Sequence, residues 1–253
     1  MKPQKKRRFF GSRKSKDFLG KVKKSSEMKE AIEKISKLYK LATRDSKTKM
    51  YNAGFFYNQM NHEISVALRY NHQLSLILID IDDFKKINTK YGYQKADKIL
   101  IRVGEIISED LRTADIAARF GGEEFVLLLP ETTEEKAFSI SERIRKKIMK
   151  DIFLKKFKIT ISAGISCFKP TGKIKEKELN DDYERLRKIE LKIEREDVFA
   201  YLKAIKMPTH DTENKLGEIL FDQANISVKH AKNSGKNQTV VYTEKLLKSF
   251  NKF

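Results

Sequence analysis

Apolar residues recur along the chain at two different periods, which together predict an alternation of helices and strands. Steps of three and four residues predict amphipathic helices over 54–70, 94–111, 133–150 and 216–233. Apolar or alternating runs predict strands over 74–79, 116–120, 125–129, 157–168 and 239–243. This order predicts an α/β fold, an α+β sandwich, whose central and mostly antiparallel sheet has one face covered by helices.

Four segments surround or interrupt this pattern, so that the central domain is expected over 45–243. Residues 1–25 are rich in Lys and Arg, which predicts a flexible arm or a surface-binding helix. Residues 26–44 carry a narrow apolar stripe, compatible with a dimerising coiled coil or with packing on the same domain. Charged residues over 170–212 predict a solvated helical insertion, and 244–253 a C-terminal tail.

Composition narrows the class of protein without selecting one. The formal charge of +19 suits an anionic partner, which can be nucleotide phosphate, nucleic acid or acidic lipid. Cys167 is the single cysteine, which excludes an intramolecular disulfide and a cysteine zinc site and fits a cytoplasmic location. No apolar run reaches the roughly 18 residues of a membrane span, and the basic N-terminus lacks the apolar stretch of a signal peptide.

An acidic cluster follows the strand predicted over 74–79. Asp80, Asp82 and Asp83 lie at its carboxyl end, where α/β sheets commonly bind ligands. Mg²⁺ prefers one or two carboxylates together with phosphate oxygens of a substrate. A solvated loop or a helix N-cap is the alternative interpretation of this cluster.

The turn Gly121-Gly122-Glu123-Glu124 is the second candidate element. Its glycines allow the backbone to approach a ligand closely, and its adjacent glutamates point to opposite faces of the following strand. One glutamate can therefore face Asp80 across neighbouring strands and complete a metal site. A plain hairpin turn is the alternative for the two glycines.

Lysines form the third candidate element. Lys85 and Lys86 follow the first cluster, and Lys232 and Lys236 lie near Gly235. Phosphoryl transfer depends mainly on positioning and charge neutralisation, so a metal ion with lysines is the expected set of groups. In a chain this rich in lysine, a surface position is the ordinary alternative for any one of them.

Four motifs occur in a fixed order: Asp80 to Asn88 followed by Tyr91-Gly92 and Asp97, then Arg119 to Phe125, then 161–166, then 231–237. Together they resemble the GGDEF family of diguanylate cyclases in its GGEEF variant, over roughly 43–168 and 216–243. The resemblance implies a nucleotide-cyclase-like GGDEF fold. It also implies condensation of two GTP molecules into cyclic di-GMP, with pyrophosphate as the leaving group.

The resemblance also implies a metal and catalytic set. Asp80, the backbone carbonyl of Ile81 and Glu123 would hold Mg²⁺ or Mn²⁺. Glu123 or Glu124 would act as proton acceptor or metal partner, and Lys85 would stabilise phosphate charge.

Substrate recognition is implied at further positions. Asn88 and Asp97 match the family's guanine readers, since an aspartate can accept two hydrogen bonds that guanine offers and adenine does not. The other implied substrate-binding residues are Tyr93, Gly121, Gly122, Arg119, Lys232 and Lys236.

Regulation and assembly are implied as well. Arg112 and Asp115 resemble the family's inhibitory product site, where an Arg forks onto the product; an ordinary helix-to-strand turn is the alternative. Because one GGDEF domain offers half of an active site, a homodimer with one GTP in each chain is implied. The helix at 26–43 or the insertion would bring the chains together.

The sequence departs from the family pattern in its opening motif. Lys47 stands where the family has Leu, and Ala53 where it has an Arg that pairs with the aspartate at Asp45, which predicts a looser or differently controlled turn. The metal ligands are intact. Further departures are Tyr93, Ala96 and Lys229.

Two other classes of function compete with the enzyme. The first is a catalytically weak receptor for GTP or cyclic di-GMP, although such members usually lack the acids kept at Glu123 and Glu124. The second is a protein whose basic arm binds a membrane surface or another polyanion, against which the acidic cluster argues.

Overall fold

The computed structural model describes residues 13–170, 176–190 and 211–250, and the chain divides into two units after Thr43. The first unit contains helix α1 (Arg13–Thr43), whose large apolar side chains between Met28 and Leu41 are exposed. The helix begins inside the segment predicted as a flexible arm, and residues 1–12 of that arm lie outside the described residues.

The second unit is built on a mixed sheet of six strands in the order β1-β3-β4-β2-β5-β6. Antiparallel pairs join β2 to β4 and β5, and β3 to β4, while β1 with β3 and β5 with β6 pair in parallel. The predicted antiparallel centre is therefore confirmed. The strands are β1 (Tyr51–Asn52), β2 (Leu74–Ile81), β3 (Ile116–Gly121), β4 (Glu124–Pro130), β5 (Ile161–Phe168) and β6 (Thr239–Val241).

Helices fill the connections between these strands. Asn52 and Thr133 accept backbone hydrogen bonds as N-caps of α2 and α5, which explains where those helices begin. The helices are α2 (Ala53–Tyr70), α3 (Phe84–Tyr91), α4 (Tyr93–Glu109), α5 (Glu134–Lys150), α6 (Ile152–Lys155), α7 (Glu176–Glu190), α8 (Asp211–Asn233) and α9 (Glu244–Phe250).

Strand β2 is buried along its whole length because its alternate side chains enter two different cores. Ile77 and Ile79 join an apolar cluster with residues of α4 and α5. Leu76 and Leu78 join a second cluster with residues of α2 and α8. Helices therefore flank the sheet, as expected for the fold class, but they cover both faces and not the one face predicted from the order of elements. The four consecutive apolar residues 76–79 of β2 are typical of a strand covered on both faces.

Strand β5 begins at Ile161, four residues later than the predicted start at 157. Residues 156–160 instead form a turn and a short connection between α6 and β5. The Asp151 side chain caps α6 by accepting hydrogen bonds from the backbone of Phe153 and Leu154 at 3.0 and 2.9 Å, and Lys158, with φ of 54°, turns the chain before the strand. The apolar pattern therefore extended the predicted strand into a turn.

The insertion predicted over 170–212 contains α7, which packs along α8. The Tyr183 hydroxyl donates to Glu218 at 2.8 Å, and buried Leu186 contacts Ile226 and Leu247. Leu247 lies in α9, so the described part of the predicted tail is a packed helix. Residues 171–175, 191–210 and 251–253 of these segments lie outside the described residues.

Gly164 lets α8 lie directly on β5. A Cβ atom at this position would overlap the carbonyl oxygen of Ala224 and lie 2.5 Å from the backbone nitrogen of Val228. The Ser166 hydroxyl adds a 2.5 Å hydrogen bond to the Leu220 carbonyl. This close approach brings the C-terminal turn of α8, with Lys232, to the end of β2.

Candidate active site

Asp80 lies near the end of β2, between Glu124 of β4 and Ser162 of β5 in the strand register. Its Oδ2 atom accepts the ammonium of Lys232 at 2.6 Å, whereas its buried Oδ1 atom has no hydrogen-bond partner among the described residues. Burial raises the pKa of Asp80 to about 6; Lys232 opposes the rise, and Glu123 adds to it. The carboxylate therefore has an oxygen that a cation would satisfy.

The Gly-Gly-Glu-Glu turn is joined to the end of β2. Gly121 pairs with Glu124 around a two-residue loop in which Gly122 has φ of 36°. The backbone N–H of Ile81 donates to the Glu123 carbonyl at 3.4 Å. The fold thus brings Glu123 close to Asp80, whose register partner is Glu124. The strand pattern left open which of the two glutamates would face Asp80.

The side chains at this point fit a divalent ion that is also held by substrate oxygens. In the part of the chain that the structure describes, no group of three His, Cys, Asp or Glu residues is arranged to hold an ion alone. Asp80 and Glu123 offer carboxylates, and Mg²⁺ commonly combines one or two carboxylates with phosphate and water. The unpartnered Oδ1 of Asp80 supports such a site.

Asp82 has a different environment from Asp80, although both are buried. Its carboxylate accepts hydrogen bonds from the hydroxyls of Thr160 at 2.7 Å and Ser162 at 2.6 Å, and from the backbone of Asn237 at 3.1 Å. These donors occupy both oxygens and link β2 to the segment that follows α8. Asp82 is therefore a structural acid within the cluster.

Asp83 and the lysines form ion pairs at the rim of the site. The Asp83 carboxylate pairs with the Nζ atoms of Lys236 at 2.8 Å and of Lys86 at 2.7 Å. Hydrogen bonds from these two ammonium groups lower the pKa of Asp83 to about 2. Lys85 is exposed in the first turn of α3. Lys232 and Lys236 are thus paired with acids here, and their predicted contacts with substrate stay predictions.

The predicted base-reading residues lie on two consecutive helices. Asn88 belongs to α3, and Gly92, with φ of 78°, separates that helix from α4. Asp97 lies in the second turn of α4, where its Oδ1 atom accepts the ammonium of Lys47 at 2.5 Å. Tyr93, at the start of α4, is 80% exposed. The sequence pattern did not reveal the contact between Lys47 and Asp97.

Arg119 joins the opening turn to the Gly-Gly-Glu-Glu turn. Its guanidinium donates to both carboxylate oxygens of Asp45 at 3.3 Å and to the Gly122 carbonyl at 2.7 and 3.1 Å. It replaces the arginine partner that is missing at Ala53, so the expected loosening of the turn is not seen. These contacts position the turn, and substrate binding by Arg119 stays a prediction.

Arg112 and Asp115 form a short turn between α4 and β3. The backbone N–H of Arg112 donates to the Asp115 carboxylate at 2.8 Å, and the Arg112 side chain is exposed. Nearby, the Oδ1 atom of Asp110 forms ion pairs with Arg143 Nε at 2.8 Å and with Lys147 Nζ at 2.9 Å. Arg143 and Lys147 also line an open groove of about 840 Å³ between α4 and α5, whose lining does not include the acids of β2.

The fold and this arrangement define the GGDEF class of α+β domains. Residues 42–192 match the family model described as "Diguanylate cyclase, GGDEF domain", and the chain belongs to that family. The predicted family and fold class are thereby confirmed. Among the described residues, no helix combines the length and apolar character that crossing a bilayer requires.

Curated relatives share the same region. The chain is 37% identical over 139 residues to diguanylate cyclase A of Treponema denticola, an alignment that covers 53% of this chain and 38% of that protein. It is 31% identical over 151 residues to a diguanylate cyclase of Vibrio cholerae, covering 59% and 47%. The chain thus spans less than half of the length of these relatives.

Solved structures support the fold. The coiled coil and GGDEF domain of DgcB from Caulobacter crescentus, in complex with c-di-GMP, superposes with a TM-score of 0.64 at 18% identity, covering 87% of this chain and 96% of that one. The active GGEEF domain of a Vibrio cholerae diguanylate cyclase gives a TM-score of 0.55 at 23% identity, covering 76% and 97%.

Proposed function

We propose that this chain is a diguanylate cyclase that condenses two GTP molecules into cyclic di-GMP with release of two pyrophosphates. The observation that carries the proposal is the buried Asp80, whose Oδ1 atom is unpartnered beside Glu123 and whose Oδ2 atom binds Lys232. This arrangement suits a divalent ion and an anionic phosphate at the same point. The curated relatives named diguanylate cyclase support the same activity.

Each condensation joins the 3′-hydroxyl oxygen of one GTP to the α-phosphorus of the other, and the bond to pyrophosphate breaks. Glu123 or Glu124 would accept the hydroxyl proton. Lys85, Lys232 and Lys236 would neutralise charge on the phosphates. A Mg²⁺ or Mn²⁺ ion held by Asp80, Glu123 and the Ile81 carbonyl would supply Lewis-acid stabilisation of the phosphate oxygens.

The reaction needs two chains, because each domain would hold one GTP and the nucleophile comes from the opposite one. The exposed apolar side chains of α1, from Met28 to Leu41, are available to pair with a second copy. We therefore expect a homodimer, at least during turnover. A chain that stays monomeric at all concentrations with GTP present would contradict this expectation.

We also propose that cyclic di-GMP inhibits the enzyme through Arg112 and Asp115. Arg112 is exposed, and the Asp115 carboxylate holds its backbone, so the guanidinium is available for bidentate contacts. Arg112→Ala should leave the initial rate unchanged but raise the product concentration that halves the rate. An unchanged inhibition constant would contradict this role.

The decisive experiment incubates the whole chain with GTP and Mg²⁺ or Mn²⁺ and separates the products by chromatography. Cyclic di-GMP is expected from the wild type and from the control Glu184→Gln, which changes an exposed glutamate of α7. None is expected from Glu123→Gln. If the wild type binds GTP or cyclic di-GMP but forms no product, the chain is a receptor and the cyclase proposal fails.

The basic arm is tested separately, because its contact with a membrane surface or another polyanion is a prediction from sequence alone. Deletion of residues 1–24 should leave cyclic di-GMP formation intact if the acidic site carries the function. Loss of binding to anionic vesicles on the same deletion would assign that second role to the arm.

A further inference from the structure

The turn that carries Lys47 is held rigidly. Asp45 accepts hydrogen bonds from the backbone and hydroxyl of Thr48 at 2.7 and 2.8 Å, and its backbone N–H donates to the Met50 carbonyl at 2.8 Å. Arg119 binds the same carboxylate from β3. The position of the Lys47 backbone is thus set by contacts on both sides.

The same turn lies against α4, the helix that carries Asp97. A Cβ atom on Gly104 would lie 3.0 Å from the Met50 sulfur and 3.4 Å from Thr48 Cβ, so the turn packs closely there. Asp97 precedes Gly104 by seven residues and lies on the same face of the helix. Lys47 therefore projects along this face.

Lys47 and Asp97 form an ion pair that joins two segments 50 residues apart. The Nζ and Oδ1 atoms are 2.5 Å apart, and the side chains are 46% and 37% exposed. An isolated surface pair of this exposure contributes little to the stability of the fold. The pair matters more for the orientation of the Asp97 carboxylate than for stability.

We propose that Lys47 is a specificity-determining residue that orients the base-reading carboxylate of Asp97 and presents its ammonium to the O6 edge of guanine. This inference rests on the proposed function and on the guanine-reading role that the family resemblance implies for Asp97, whose carboxylate would accept the N1–H and 2-amino hydrogens of the base. A carboxylate oxygen can accept more than one hydrogen bond, so Lys47 and guanine can share it. Adenine offers an amino group in place of O6, and the ammonium would repel it.

The test uses the whole chain and two nucleotides that lack the attacking hydroxyl, 3′-deoxy-GTP and 3′-deoxy-ATP, so that binding is measured without turnover. Titration calorimetry compares wild type with Lys47→Met, Lys47→Gln and Lys47→Arg. The matched control is Lys98→Met, which removes an exposed lysine next to Asp97. Thermal unfolding identifies folded variants, and the second neutral substitution replaces the first if one fails to fold.

Both neutral variants should bind 3′-deoxy-GTP about three- to tenfold more weakly, whereas binding of 3′-deoxy-ATP should not weaken. Lys47→Arg and Lys98→Met should retain the wild-type preference. In the Asp97→Ala background, Lys47→Met should cause a smaller loss than it does in the wild type, since the carboxylate that it orients is absent. In turnover, KM for GTP should rise while kcat stays constant.

Two results would overturn the proposal. Tighter binding of 3′-deoxy-GTP by Lys47→Met would show that the lysine blocks the base site. An unchanged preference for guanine over adenine would reduce the pair to a surface contact. If guanine-selective binding follows the expected pattern but GTP yields no cyclic di-GMP, the role of Lys47 stands and the cyclase proposal alone fails.

Discussion

Arg119 of β3 holds Asp45 of the opening turn through two contacts of 3.3 Å, although the two residues are 74 positions apart. The same guanidinium donates to the Gly122 carbonyl, so one side chain links two segments that flank the candidate site. The family pattern places an arginine partner for this aspartate at position 53, where this chain has Ala53. The pairing is therefore kept, with its cation supplied by β3 and not by the start of α2.

Arg119→Met should lower the free energy of unfolding by about 1–3 kcal/mol, because it leaves the partly buried Asp45 carboxylate and the Gly122 carbonyl without this partner. Urea unfolding followed by circular dichroism measures the change. Arg112→Met, which removes an exposed arginine, is the control and should stay within about 0.5 kcal/mol of wild type. Equal effects of the two substitutions would contradict the assigned contact.

Asp45 should also make stability depend on pH. Burial acts to raise the pKa of this carboxyl, but hydrogen bonds from Thr48 and Arg119 outweigh it and hold the pKa below the ordinary 3.8. Its stabilising contribution is present above the unfolded pKa and is lost as the pH falls through the lower folded pKa. The difference in unfolding free energy between wild type and Asp45→Asn should therefore be constant near neutrality and shrink in acid.

This pH dependence is measured by urea unfolding at a series of pH values from neutral to acidic. Ser46→Ala in the same turn changes no titratable group, so its difference from wild type should not follow the same curve. A difference for Asp45→Asn that grows as the pH falls would have the wrong sign for a depressed pKa.

Asp80 and Asp82 should respond in opposite ways to the same substitution. Asp82→Asn puts an amide among three donors and should destabilise the fold by about 1–3 kcal/mol. Asp80→Asn removes a buried carboxylate with an unpartnered oxygen, so stability without metal should be equal or higher. The same change should abolish cyclic di-GMP formation.

Calorimetric titration of Mg²⁺ with 3′-deoxy-GTP present, together with unfolding in chelator, measures both effects of these substitutions. Matched destabilisation by Asp80→Asn and Asp82→Asn would show that Asp80 is held by structural contacts like its neighbour. It would also remove the main support for a metal site at this position.

Gly164→Ala should destabilise the fold by at least about 2 kcal/mol, because its methyl group would force α8 away from β5. The shift would also move Lys232 away from Asp80, so activity should fall in whatever fraction remains folded. Gly54→Ala is the control, since among the described residues a Cβ there would meet the Asn52 side chain at an ordinary contact distance of 3.6 Å and nothing closer. Thermal unfolding and product formation are measured on both variants, and equal melting temperatures would contradict the close approach.

Local patterns were sufficient for much of this molecule. The apolar run of β2, the period of α4 and the glycines before Glu123 each depend on neighbours within a few residues, so their elements were predictable from sequence. The predicted start of β5 was four residues too early, because apolar residues continue through the turn that follows α6. The short α3 after Asp83 was missed because the acidic run that precedes it is typical of a loop.

Motifs and apolar periods were sufficient to identify the family, the alternation of elements and a contact of Asp80 with one of the glutamates after Gly122, because each of these depends on local sequence. The folded chain was needed to show which acid has an oxygen without a partner among the described residues, which arginine holds Asp45, and that Lys47 contacts Asp97. These outcomes depend on contacts between residues 50 or more positions apart, or on how neighbouring acids are solvated. The periodic pattern of apolar residues along the chain gives no information on long-range contacts or on how neighbouring acids are solvated.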